Sequence, residues 1–152
     1  MTPRKILAVL TEKEDETLLR AADAFAAQHQ AELLALVAVE QPHDLGIAAR
    51  VTGRAADQLM TEMRDRVRDQ GRAFVKTILP ERDVKLDVAV GKAFIEIIRH
   101  VTKHECDFVM KTAEPLSGLQ QFLFASTDQH LLRKCPCPVW LRTPEAKLTP
   151  KR

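Results

Sequence analysis

The chain has 152 residues, the size of one ordinary domain with one sizeable core. Hydrophobic residues make up 45% and charged residues 29%, which argues against disorder or a coiled-coil rod, and no apolar run approaches the roughly 18 residues of a membrane span. The charges nearly balance, 23 basic against 21 acidic for a net +2, so the chain carries no nucleic-acid footprint.

Met1 to Arg4 run straight into Lys5–Leu10 (KILAVL), so no export leader is expected. That segment is a continuous apolar run of strand length, as in a parallel-sheet strand buried on both faces. Glu12 to Asp15 then supply acid where a helix dipole favours it. Leu18, Ala22 and Phe25 recur at helical spacing, which predicts a helix to about Gln28. Residues 32–39 (ELLALVAV) form a second buried-strand candidate. From Gln41 to Gly53 periodicity is weak and Pro42 and two glycines intervene, so this stretch reads as a loop with at most a helical turn. Ala56, Met60, Met63, Val67, Phe74 and Ile78 then trace one stripe of a long helix, which Pro80 ends.

Residues 84–90 (VKLDVAV) alternate apolar and polar, the pattern of a half-exposed strand near a sheet edge, and Gly91 makes the turn. Phe94, Ile97, Ile98 and Val101 mark the next helix. Residues 106–110 (CDFVM) read as a fourth strand and Glu114 to Gly118 as a loop. Ser126 to Gln129 fits a capping box, with Ser126 as N-cap of a helix closing on Arg133 and Lys134. Pro136 and Pro138 break that helix before a short strand from Val139 to Leu141. One domain is expected over residues 1–145, with a polar tail over 146–152.

Strands and helices in alternation mean an α/β fold, a parallel sheet with helices on both faces and right-handed crossovers. Ligands of such sheets bind at the carboxyl ends of the strands, near the switch point. That rim would hold Thr11 after the first strand, Val39 at the end of the second, Lys111 and Thr112 after the fourth, and Ser126 and Thr127 at the start of the last helix. No nucleophile constellation stands out. Ser117 and Ser126 lack the G-x-S-x-G elbow, and His130, although four residues from Ser126, has no evident orienting acid. No catalytic residue is expected. Cys106, Cys135 and Cys137 are an odd, small number, which suits reduced thiols and a cytoplasmic protein. His100 and His104 stand four apart with Cys106 near, but no complete zinc spacing is present. No metal is expected, with these histidines facing solvent at a helix end.

The residues Lys5-Ile-Leu, Val88-Ala-Val-Gly91 and 106–110, and above all the closing segment 126–141 (STDQHLLRKCPCPVWL), resemble the universal stress protein (UspA-like) domain. The resemblance spans about residues 4 to 143. The closing segment looks most like the first half of the family's UspE-type tandem members. The resemblance implies the adenine nucleotide alpha hydrolase-like fold, a five-stranded parallel sheet in order 3-2-1-4-5. It also implies dimers or tandem pseudo-dimers joined through the last strands, here around Val139, Trp140 and Leu141. A homodimer is therefore expected.

ATP-binding members carry Gly-x2-Gly-x9-Gly-(Ser/Thr) after the fourth strand, because glycines let backbone N–H groups approach phosphates. On that frame the first glycine position is Lys111, the second Glu114 or Pro115, and the third Ala125; Ser126 alone remains, followed by Thr127. The acidic residue that many ATP binders place after the first strand is Thr11. The whole chain has five glycines, where average usage of roughly 7% would give about eleven. The resemblance thus implies a non-enzymatic stress-response or regulatory dimer with a degenerate nucleotide loop, no ATP and no other cofactor. The alternative is a protein that holds a nucleotide or apolar metabolite in the cleft at the strand ends.

Overall fold

A computed structural model of the chain describes residues 2–10, 15–41, 44–114 and 127–143. The elements in chain order are β1 (Lys5–Leu10), α1 (Glu16–His29), β2 (Glu32–Val39), α2 (Leu45–Thr52), α3 (Ala56–Ile78), β3 (Lys85–Val90), α4 (Ala93–His104), β4 (Phe108–Thr112), α5 (Thr127–Lys134) and β5 (Val139–Arg142). The strands form one sheet in the order β3-β2-β1-β4-β5, with every pairing parallel.

Strand side chains alternate between faces, so β1 feeds two cores. Ile6, Ala8 and Leu10 pack with Leu18, Leu19 and Ala22 of α1 and with Val75 of α3. Leu7 and Val9 pack on the other face with Ile97 and Val101 of α4 and Leu131 of α5. The apolar runs of β1 and β2 are continuous because helices cover both faces. In β3, at the sheet edge, Leu86 and Val88 are buried while Lys85 and Asp87 are exposed, as its alternation predicts.

Asp107 ties the starts of β4 and β1 together: its carboxylate accepts from the backbone N–H groups of Arg4 at 2.8 Å and Lys5 at 3.2 Å. Gly91 closes β3 at φ +152°, a conformation that favours glycine; a Cβ there would also stand 2.9 Å from Glu96 Oε1, which the flexible Glu96 side chain can relieve. Gln30 and Glu105, after α1 and α4, adopt the left-handed conformation at φ 53° and 54° and donate backbone N–H bonds to the last helical turn.

Two elements differ from the sequence expectation. The stretch expected as a loop contains α2, a full eight-residue helix. None of its residues is buried, and Val51 is 81% exposed, so it leaves no core-facing stripe in the sequence. The fourth strand starts at Phe108 rather than Cys106 and runs on through Lys111 and Thr112, because these two pair with Leu141 and Arg142 of β5. The Ser126 cap, residues 115–118 of the expected loop and the tail from Pro144 lie outside the described residues.

Leu131 is fully buried on the short helix α5, whereas Val51 touches no core. Leu131→Ala is expected to cost about 2–5 kcal/mol in urea unfolding, and Val51→Ala to stay within about 0.5 kcal/mol. Equal effects of the two would contradict this packing.

Candidate functional site

The order in which strands are added reverses at β1: β2 and β3 lie on one side, β4 and β5 on the other. Its carboxyl rim is therefore the place for a ligand cleft. Period-two alternation decides what β4 presents there. Val109 and Lys111 share the face covered by α4 and α5, and Met110 and Thr112 share the face covered by α1. Two polar pairs result, one on each side of the strand end.

Under α5, Lys111 is 5% exposed and its ammonium lies 2.7 Å from Asp128 Oδ1, itself on a residue 7% exposed. This oxygen meets the ammonium as an ion-pair contact rather than a well-directed hydrogen bond. Lys111 Nζ also donates to the Thr112 carbonyl at 2.9 Å. The other carboxylate oxygen of Asp128 accepts from the Glu114 backbone N–H at 2.6 Å. Removing two charges from water is costly, and such a pair persists only where further hydrogen bonds complete it. Here one carboxylate joins three things: the strand end, the first residues of the following loop and the first turn of α5. Its place in that turn also suits the helix dipole.

On the α1 side the Thr112 hydroxyl donates to Asp15 Oδ2, while Asp15 Oδ1 caps α1 by accepting from the Leu18 N–H at 3.1 Å. Thus Lys111 and Thr112 both stand at the end of β4 but pair on opposite faces of the sheet, Lys111 with Asp128 and Thr112 with Asp15, and Thr127 opens α5 beside Asp128. Val39 lies apart: its side chain is buried in the α1–α3 core and its carbonyl accepts from Gly91 N–H at 2.9 Å. Thr11 and Ser126 lie outside the described residues. At their positions in the sequence Asp15 and Asp128 are simply acids in or before the first turn of a helix, where the dipole favours them. Asp15 three residues before Leu18 was the available signal for a cap; nothing local pairs Asp128 with a lysine seventeen residues away.

The other chemically active side chains serve packing or one another. The His130 ring stacks on Phe94 at 4.2 Å, and Lys134 Nζ lies 5.4 Å from the same Phe94 ring. Cys135 and Cys137 face each other at 3.7 Å between sulfurs. The hydrogen bond from Cys137 favours the Cys135 thiolate and lowers its pKa to about 6, while the same bond pushes Cys137 upward. Burial raises the Cys106 thiol to about 11. One expectation is corrected: His100 does not face solvent but is buried, because it flanks Ile97 and Val101 on the covered side of α4.

Removing one member of the Lys111–Asp128 pair strands the other. Asp128→Ala is expected to destabilise by about 3–5 kcal/mol, and Lys111→Met with Asp128→Leu to recover most of that loss. Chemical denaturation of the wild type, Asp128→Ala, the singles Lys111→Met and Asp128→Leu and their double variant measures it, and additive single effects would show that the two charges are not coupled.

Residues 2–141 match the model of the universal stress protein family. Universal stress protein E of Salmonella typhi is 36% identical over 75 residues, which are 49% of this chain and 23% of that protein. The chain thus aligns with under a quarter of that relative's length. A universal stress protein solved in complex with cAMP superposes with a TM-score of 0.65 at 14% identity, covering 94% of this chain and 98% of that one. The universal stress protein from Archaeoglobus fulgidus, solved with dAMP, gives 0.59 at 14% identity, covering 93% and 98%. The sheet order β3-β2-β1-β4-β5 is the one the family resemblance implies. By family match and by fold, this chain belongs to the universal stress protein family.

Proposed function

We propose that this chain is a non-enzymatic, regulatory member of the family in which an internal carboxylate has replaced the phosphate of a nucleotide. The supporting observation is the Asp128 carboxylate at the rim, held by Lys111 and by the Glu114 N–H. In an ATP-binding relative, backbone donors after the fourth strand and the start of the last helix serve the phosphates. Here the Glu114 donor is already used, and Lys111 stands where the first glycine would be, its charge turned inward to Asp128. Glu114 adds a further negative charge beside any incoming phosphate. No nucleophile with a base and an orienting acid occurs among the described residues, and the His130 ring is engaged with Phe94. The three free cysteines suit the reducing conditions of the cytoplasm.

A second reading follows from the neighbours solved with cAMP and dAMP. In it the same rim binds a nucleoside monophosphate or another small molecule. Equilibrium binding of labelled ATP, AMP and cAMP separates the two. The first reading expects no saturable binding at micromolar concentrations. Micromolar ATP affinity would overturn it, and saturable AMP or cAMP binding would establish the second.

The protein is proposed to act as a homodimer through β5. This strand is the sheet edge, paired on one side with β4, and it carries Trp140, 39% exposed. An edge strand offers unpaired backbone groups to a second copy, and tryptophan is a favoured interface anchor. Light scattering after size exclusion is expected to show a dimer that Trp140→Glu converts to a monomer without lowering Tm. A wild-type chain that stays monomeric at high concentration would remove the β5 interface.

A further inference from the structure

We propose that Asp87, His100 and His104 form a binding site for a divalent metal ion of the zinc type, separate from the nucleotide rim. His100 and His104 lie one turn apart on α4, so their side chains share a face. Their ring centroids are 4.2 Å apart. Asp87 reaches them from β3, because strand alternation turns it away from Leu86 and Val88 and toward the helix. Asp87 Oδ2 lies 3.8 Å from Nε2 of each histidine. The three donor atoms all fall within 4.8 Å of one another. Zinc bonds of about 2.0–2.1 Å in a tetrahedron place donors about 3.3 Å apart, so closure requires a contraction of about half an ångström between the carboxylate and each imidazole and of at most about 1.5 Å between the imidazoles. Asp87 and His104, whose side chains are 52% and 31% exposed, are free of core packing and can supply it.

The independent sign of a ligand is His100. It is nine-tenths buried, yet its Nε2 has no hydrogen-bond partner and points toward Asp87 Oδ2 at a distance too long for one. A buried polar atom left unpaired is costly, and a metal ion would satisfy it. Two imidazoles and one carboxylate suit zinc, nickel or copper rather than magnesium or calcium, and they leave a coordination position for water. That position opens on a cleft of about 330 Å³ that Arg99 and Lys103 also line. Arg99 is paired with Glu96 at 2.8 Å. Lys103 opposes a cation, which sets the expected affinity at micromolar rather than tighter.

The test titrates the metal-free full chain, with Cys135 and Cys137 changed to serine to remove thiol ligands, with Zn²⁺ alone by calorimetry. One ion per chain with micromolar affinity is expected. A rise in Tm with zinc but not with Mg²⁺, and joint displacement of the His100 and His104 imidazole signals in NMR spectra, should accompany it. Asp87→Ala and His104→Ala should each weaken binding at least tenfold while leaving the Tm of the metal-free protein nearly unchanged. No saturable zinc binding in this background, or an affinity that His104→Ala leaves intact, would overturn the proposal.

Discussion

The structure depends on the burial of β1 on all sides. Ile6 to Leu10 are all almost inaccessible, with β2 and β4 as lateral neighbours and helices on both faces. A central parallel strand cannot be reached by a hairpin, so each connection must cross over a face of the sheet. The chain goes from β1 outward to β2 and β3, then returns to place β4 on the other side. That reversal brings the end of β4 beside the end of β1 and points the first turns of α1 and α5 at the same rim. Asp15 and Asp128 meet Thr112 and Lys111 there because the topology leaves them no other place.

The residue at position 111 decides much of the rim's packing. A glycine at position 111 would leave open space and a free backbone. A lysine there carries a four-carbon stem that packs against the core and an ammonium that must be neutralised within it. Asp128 neutralises it and, by accepting the Glu114 N–H, also fixes the exit of the chain from β4. The pairing is therefore structural as well as chemical: one residue of α5 organises both the end of β4 and the first residues after it.

Much of this was legible in the sequence where burial leaves a pattern. The continuous runs of β1 and β2, the alternation of β3 and the stripe of α3 each follow from which faces are covered. The helix α2 was not legible because it buries nothing: Ile47 and Val51 point to solvent, so no periodicity distinguishes it from a loop. The end of β4 was misplaced because β5 pairing, not local propensity, extends it. At the rim, Lys111 and Thr112 were identified from topology, but not the inward turn of Lys111, since an ion pair between β4 and α5 has no local signature. Asp87 was missed beside His100 and His104 for the same reason. A helix spacing can be counted, but the third donor comes from a neighbouring strand.

The scarcity of glycine has a consequence beyond the rim. Helices α1 and α4 end on Gln30 and Glu105 in a left-handed conformation that costs a residue with a side chain roughly 1–2 kcal/mol. Glycine would remove that strain in the native state. It would also widen the range of conformations open to the denatured chain, and so raise the entropy surrendered on folding by a smaller amount of about 0.4–1 kcal/mol. The two effects oppose each other, and a chain poor in glycine takes its stability partly from a denatured ensemble with less freedom to lose.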